Sequence, residues 1–219
     1  MFYDLIDVLC RPAAWWGRLR VEGIEFVPET GPLLVVSNHD SQWDPILVGL
    51  AIGPRRRLRF LARASLWQIP GLRPILNGLG QIPLRRGAGD PAGLDRAIDA
   101  LRAGEAIGVF PEGQLSWGEH LRSRSGVARL SAACPTARVV LCAIEGSTDY
   151  VRFPRRPRIT VTFFAPRTGD PPRGDAPAAQ AARWLSEIRE RVLPAAAGRR
   201  PTIGGPPRVR RRLARNAEP

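Results

Sequence analysis

The chain has 219 residues, 44% of them hydrophobic, with 33 basic residues against 20 acidic ones and a net charge of +13. Every basic residue is arginine, which excludes a lysine nucleophile, a Schiff base and a P-loop lysine. The length fits one domain able to bury a core. The three cysteines, Cys10, Cys134 and Cys142, lack metal-ligand spacing, so a reduced compartment is the simplest expectation.

In chain order, Phe2, Leu5, Ile6 and Leu9 share one helical face, and Pro12 is expected to end or kink that helix. Asp4 and Asp7 stand where a signal peptide would carry basic residues, so no leader is expected. No apolar stretch nears the roughly 18 residues of a spanning helix. Trp15 and Trp16 beside Arg11, Arg18 and Arg20 suit a membrane–water interface or, equally, a helix packed on the domain. Leu19 to Phe26 alternates as an edge strand. Pro28 to Pro32 is a turn, and Leu33 to Ser37 is a continuous apolar strand of the kind buried in a parallel sheet. A polar stretch, Ser37 to Asp44, then opens a helix that runs to about Ile52 and stops at Gly53-Pro54.

Arg55 to Ala62 reads as a strand, and Ala64 to Asn77 as an irregular apolar helical stretch that faces lipid or forms a buried connection. Gly80 to Leu84 is a short strand before the Arg85-Arg86-Gly87 loop. Asp90 caps the next helix, Pro91 fits its first turn, and Gly104 closes it. Ala106 to Phe110 is a buried strand ending in Pro111-Glu112-Gly113. A helix over 126–133, a buried strand over 139–144, a half-exposed strand around Ile159, Val161 and Phe163, and an amphipathic helix over 178–192 complete the pattern. The expectation is an α/β domain with a mostly parallel central sheet flanked by helices. It divides into an N-terminal amphipathic segment (1–18), a domain (19–198) and a tail (199–219) of Pro, Gly and Arg expected to be disordered. The tail carries +6 of the net charge. Such a balance points to an anionic partner: a membrane surface, nucleic acid, a phosphorylated ligand or an acidic carrier protein.

Two side chains in the polar stretch can carry chemistry. A neutral His39 can take a proton from a hydroxyl, and Asp44 on its other ring nitrogen would fix the tautomer. The pair meets only if the chain turns between them. By spacing alone a loop histidine and a helix-capping Asp44 are the simpler explanation. His120 lacks an evident partner and reads as a surface residue. The Gly-x-Ser-x-Gly elbow, the Gly-x-Gly-x-x-Gly loop and the Walker A pattern are missing, and two histidines do not make a zinc set. Arg85 and Arg86 can clamp a phosphate or form a solvated loop.

Four stretches carry a resemblance. Asn38-His39-(x4)-Asp44, Gly80-Gln81-Ile82-Pro83-Leu84-Arg85-Arg86, Phe110-Pro111-Glu112-Gly113 and Val139 to Ile144 resemble, in order, the four blocks of the glycerolipid acyltransferase family. Its best-known members are 1-acylglycerol-3-phosphate acyltransferases. The resemblance spans about residues 19 to 165. It implies that fold and acyl transfer from a coenzyme A or acyl-carrier-protein thioester to a lysophospholipid hydroxyl, with no metal or other cofactor. It makes His39 the general base and Asp44 its orienter, and has Arg86, Glu112 and Gly113 line the acceptor's phosphate site. Together with the arginine-rich, non-spanning chain and its basic tail, it points to a peripheral protein at the cytoplasmic face of an anionic membrane rather than a nucleic-acid binder. Two positions depart: Leu115 stands where the third block usually has Arg, and Leu141 where the fourth usually has Pro. Rival expectations are another lysolipid acceptor, a thioesterase, or a basic binding module without catalysis.

Overall fold

Strand β2 (Leu33–Ser37) is buried at all five positions and lies fourth in a seven-stranded sheet. The computed structural model describes residues 2–85, 90–116, 121–149, 156–167 and 176–192. The other strands are β1 (Arg20–Glu22), β3 (Arg59–Arg63), β4 (Ile82–Leu84), β5 (Ala106–Val109), β6 (Arg138–Glu145) and β7 (Thr160–Phe164). Their order across the sheet is β1-β7-β6-β2-β5-β3-β4. Every neighbouring pair is parallel except β6 with β7. The sheet is thus mostly parallel, as the alternation of strands and helices predicts.

The helices are α1 (Phe2–Trp16), α2 (Asp44–Ile52), α3 (Leu72–Gly78), α4 (Pro91–Arg102), α5 (Gly126–Ala133) and α6 (Pro177–Arg189). They cover both faces, which is why β2 reads as an unbroken apolar run. Leu34 and Val36 join one core with Leu101, Leu130, Trp184 and Ile188 from α4, α5 and α6. Leu33 and Val35 join the other with Leu47, Val48 and Ile52 from α2 and Ala13 and Trp16 from α1. All four β2 aliphatics are fully buried, and each contributes about 1.5–3 kcal/mol by leaving water.

Helix α6 ends at Arg189, three residues short of the expected 192, and three other boundaries differ more. Helix α1 runs through Pro12 to Trp16. Proline removes the hydrogen bond to the carbonyl four residues back, and that residue, Val8, is 54% exposed, where its carbonyl is open to solvent. Strand β1 ends at Glu22 because Gly23, at φ +69, starts a 3-10 turn over Ile24–Phe26. Gly23 packs so closely on β7 that a Cβ there would sit 1.9 Å from the Phe163 carbonyl oxygen. Strand β3 begins at Arg59 because Arg55 and Arg56 still donate their N–H groups to the Ile52 carbonyl at the end of α2. The Arg56 guanidinium then ties down the carbonyls of Pro28, Gly31 and Gly104. The other elements agree in type with the sequence reading, and Asp90 accepts from Gly93 N–H as the cap of α4. The tail over 199–219 lies outside the described residues.

Candidate functional site

The three polar stretches singled out in the sequence, after β2, β4 and β5, all follow the C-terminal ends of parallel strands, where open α/β sheets place their ligands. Asn38 continues β2 with its side chain instead of its backbone. Its Nδ2 donates to the Ile144 carbonyl at 2.9 Å, and its Oδ1 accepts from Ile144 N–H at 2.8 Å. This amide bridge to β6 lets the main chain leave the sheet at the next residue.

The chain turns between His39 and Asp44, as a contact at this spacing requires. His39 Nδ1 lies 3.1 Å from Asp44 Oδ2, and the same oxygen accepts from Ser41 N–H at 2.8 Å. Asp44 is fully buried, and its Oδ1 has no hydrogen-bond partner. Its carboxylate faces His39 and Ser41 rather than capping α2, whose N-cap residue is Trp43. The imidazole keeps 18% of its side-chain surface exposed. It stacks on Phe110 with ring centroids 4.1 Å apart, and Phe110 stacks in turn on Phe60. An Asp44-facing Nδ1–H leaves the Nε2 lone pair as the proton acceptor. Of the first three amides of α2, that of Asp44 is taken by the Ser41 carbonyl and Pro45 has none. Only Ile46 N–H remains to that helix as an oxyanion donor.

Glu112 is 2% exposed and turns inward. Its Oε2 accepts His39 N–H at 2.8 Å, while its Oε1 accepts from Arg189 on α6. Gly113 follows at φ +65, where glycine is favoured, and a Cβ there would lie 2.7 Å from the Arg124 side chain. Arg124 N–H donates to the Pro111 carbonyl at 2.7 Å, binding the segment before α5 to this loop. Arg85 donates its N–H to Asp90 at 2.8 Å and leaves its side chain exposed. Arg86 and His120 lie outside the described residues.

Sequence reasoning missed the cluster around Arg189. This residue donates to both oxygens of Asp40, at 2.9 and 2.7 Å, and to Ser116 Oγ at 2.9 Å. Ser116 Oγ also donates to Asp40, and Ser116 N–H donates to the His39 carbonyl at 2.7 Å. Burial works to raise the Asp40 pKa, but the bonds and charge of Arg189, with Ser116 and Asn38, outweigh it and hold the carboxyl below its ordinary value. For Glu112 burial prevails over Arg189 and the His39 amide, and the pKa is raised. Burial acts to lower the Arg189 pKa, but Asp40 and Glu112 raise it above the ordinary value. The only sequence hint was position: Arg189 flanks Ile188 on the apolar face of α6. Nothing local marks its charge as buried.

Among the described residues no group of three or more His, Cys, Asp or Glu is placed to hold a metal ion. Burial pushes the Cys142 thiol up to about 12, with the Asp44 charge adding to the rise and Ser37 opposing it. It is therefore not a nucleophile at neutral pH, and native protein at pH 7 is expected to leave Cys142 unalkylated by iodoacetamide.

Two hollows share Ala62 in their linings, and the first also takes in Pro45 and Ile46 just after the His39 loop. One is an apolar groove of about 430 Å3 between α1, α2, β3 and α3, lined by Ile46, Gly49, Leu50, Phe60, Leu72 and Ile75 among others. The other, of about 270 Å3, gathers Arg63, Arg85, Arg124 and Arg129 around Gly113 and the start of α5.

The molecule is a mostly parallel α/β sheet with a strand-end His–Asp pair, an apolar groove and an arginine-lined hollow. Residues 18–145, more than half of the chain, match the family model described as Acyltransferase, and the chain belongs to that family. An uncharacterised protein of Mycobacterium leprae is 31% identical over 147 residues, 61% of this chain and 38% of that protein. The lyso-ornithine lipid O-acyltransferase of Pseudomonas aeruginosa is 35% identical over 138 residues, 59% of this chain and 51% of that one. A Bacillus subtilis protein named 1-acyl-sn-glycerol-3-phosphate acyltransferase is 26% identical over 97 residues, 44% of this chain and 48% of its own. The chain thus spans about two fifths to half the length of these curated relatives. The crystal structure of the 1-acyl-sn-glycerophosphate acyltransferase from Thermotoga maritima superposes with a TM-score of 0.66 at 23% identity, over 86% of this chain and 77% of that one. At that identity the likeness establishes the fold.

Proposed function

We propose that the protein transfers a fatty acyl group from a coenzyme A or acyl-carrier-protein thioester to the free hydroxyl of 1-acylglycerol-3-phosphate, giving phosphatidic acid. The observation that carries this reading is the His39–Asp44 contact at 3.1 Å, inside the span that matches the acyltransferase family. His39 Nε2 takes the proton of the acceptor hydroxyl as its oxygen attacks the thioester carbonyl. The carbon–oxygen bond forms, the carbon–sulfur bond breaks, and the imidazolium returns its proton to the leaving thiolate. A thioester is already activated, so the step needs neither an enzyme-bound acyl intermediate nor a metal.

The apolar groove takes the acyl chain in this account. It adjoins the His39 loop at Pro45 and, through Phe60, at the Phe110 ring stacked on His39. Gly49 lines it, and a Cβ at Gly49 would meet nothing within 4 Å, so a larger side chain there enters the groove without a clash at its base. Each buried methylene is worth about 0.8 kcal/mol, so Gly49→Phe, by displacing two or three of them, should lower kcat/KM for long-chain donors by roughly 10- to 50-fold. Short-chain donors should be spared. An unchanged ratio of long- to short-chain activity would contradict this assignment.

The arginine hollow takes the acceptor's phosphate. Guanidinium groups bind phosphate through paired charge-assisted bonds, and charge-assisted bonds contribute about 1.5–3 kcal/mol each. Arg124→Ala is therefore expected to raise KM for lysophosphatidate by roughly tenfold or more, with a smaller effect on a lysolipid that lacks phosphate. Equal effects on both acceptors would remove the hollow from the reading.

A second reading keeps the chemistry and changes the acceptor to another lysolipid. Leu115 in place of the usual third-block arginine and the name of the Pseudomonas relative support it. A panel of lysolipids with one donor separates the two: rejection of lysophosphatidate beside turnover of another lysolipid establishes the second.

Peripheral binding at the cytoplasmic face of an anionic membrane belongs to the same proposal. Val8, Leu9 and Trp15 on α1 are 54, 64 and 69% exposed, and the exposed Ile46 lines the groove. Among the described residues no helix is long and apolar enough to cross a membrane. Deleting residues 199–219 removes +6 of charge, each Arg near an anionic surface being worth about 1 kcal/mol. The truncated protein should bind anionic liposomes more weakly and keep its turnover on detergent-dispersed substrate. Unchanged liposome binding would dismiss the tail as an anchor.

A further inference from the structure

The geometry points to Arg189 as the positioning residue that sets His39 for catalysis from outside the family-matching segment. We draw this from the way the His39 peptide is held. Its N–H donates to Glu112 Oε2 at 2.8 Å, and its carbonyl accepts from Ser116 N–H at 2.7 Å. Both partners belong to the loop after β5. Their side chains, and that of Asp40 next to His39, converge on one guanidinium: Arg189 bonds both Asp40 oxygens, Glu112 Oε1 and Ser116 Oγ. One cation thus joins the loop carrying the base to the loop that fixes its main chain. The inference rests on the reading of His39 as the base.

Stability does not account for such a cluster. The Arg189 side chain is 6% exposed and those of Asp40 and Glu112 are 5 and 0% exposed, and buried ion pairs of this kind often contribute little net stability over an apolar replacement. What the cluster does is admit one arrangement. The fork donates to three residues from fixed directions, which a lysine cannot reproduce. Without it, two buried carboxylates face each other with no cation between them, and the loops must separate or one carboxyl must take a proton. His39 would then lose the backbone anchors that aim its ring between Asp44 and Phe110.

Arg189 lies in the last turn of α6, 77 residues beyond Glu112 and outside the matched span of 18–145. The family segment is therefore completed by a helix that the match does not include. The cation that meets Glu112 comes from α6 rather than from the third block, where Leu115 stands in place of arginine.

The test uses the full chain and three variants, Arg189→Gln, Arg189→Lys and His39→Ala, each checked for folding by near-ultraviolet circular dichroism. A displacement of about 1 Å at a reacting group costs about 100-fold in rate, so Arg189→Gln should lose about that much kcat. KM for donor and acceptor should stay within roughly threefold, because Arg189 touches neither hollow where they bind in this account. Arg189→Lys keeps the charge without the fork and should recover about a tenth of wild-type kcat. A second readout does not depend on turnover. The chain has two histidines, so the imidazole nitrogen-15 spectrum is simple, and the His39 signals are identified by their loss in His39→Ala. The Nδ1–H signal of His39, held to Asp44, should shift or broaden in Arg189→Gln and persist in Arg189→Lys. Folded Arg189→Gln with wild-type kcat, with a loss of kcat matched by the loss of folded protein, or with an unchanged imidazole signal overturns the proposal. If Arg189→Gln does not fold, wild-type kcat in Arg189→Lys overturns it. If the wild-type protein transfers no acyl group, the function reading fails and the imidazole signal still decides the role of Arg189.

Discussion

His39→Ala should lower the rate of acyl transfer by about 100- to 10,000-fold, the range over which a positioned general base contributes. The loss should appear in kcat, because the ring acts in the proton transfer and lines neither hollow. His39 is 18% exposed and stacked on Phe110, so removing it opens a small surface gap rather than a core cavity. The peptide groups that Glu112 and Ser116 hold are unaffected by the change. The variant should therefore keep the wild-type fold, at a melting temperature lowered only by the donor that buried Asp44 loses. Retained turnover in the folded variant would show that another group takes the hydroxyl proton.

Asp44→Asn should cost a comparable factor by a different route. Asp44 Oδ2 receives two donors, His39 Nδ1–H and Ser41 N–H. An asparagine has one oxygen: in the place of Oδ2 it can accept from both and puts its NH₂ in the partnerless Oδ1 place, and in the flipped amide the NH₂ faces both donors. With the NH₂ against Nδ1, the ring takes the opposite tautomer and Nε2 carries the proton it should accept; with the oxygen there, the tautomer is kept. The carboxylate's stabilisation of the imidazolium is lost as well. The expected fall in kcat is about 100- to 10,000-fold at neutral pH. A partial recovery is expected at high pH, where free hydroxide competes as the base, and the KM values should change little. Wild-type kcat in Asp44→Asn would remove the carboxylate from the mechanism. Stability should also change, because Asp44 is buried and its Oδ1 lacks a partner, so in either orientation the amide NH₂ leaves a buried donor without an acceptor.

The parts of this molecule that were legible in sequence are those written locally. Strand β2 announces itself as four aliphatics in a row because helices cover both of its faces. Helix α4 is bounded by its own cap, Asp90, and its own stop, Gly104, at φ +85. Helix α5 follows from an amphipathic run after Ser125. The polar loops after β2, β4 and β5 were visible because each directly follows an apolar strand. Boundaries failed where a tertiary contact decides. Gly23 cuts β1 short because it must pack on the Phe163 carbonyl, and Arg55 and Arg56 delay β3 because they finish α2.

Within the site, the His39–Asp44 spacing was readable, but its geometry was not, since five residues along a regular helix point to different faces. The turn through Ser41 brings the pair together. The Asp40–Arg189 contact was beyond reach because its members are 149 residues apart. Arg189 sits in an arginine-rich chain where one more positive charge on a helix carries no signal. Glu112 was assigned by resemblance to the acceptor's phosphate site. Its carboxylate is placed against His39 N–H and Arg189 instead, while its neighbour Gly113 lines the arginine hollow.

The account stands most directly on the lipid product formed by the purified full chain. Lysophosphatidate and one other lysolipid would each be supplied with a long-chain acyl-coenzyme A and, separately, with the matching acyl carrier protein, and the products separated by mass. The account predicts an ester in which the acyl chain has moved to the lysolipid hydroxyl, phosphatidic acid foremost, with one free thiol released per ester formed. Free fatty acid in place of ester, or no thiol release with any donor and acceptor, would contradict it.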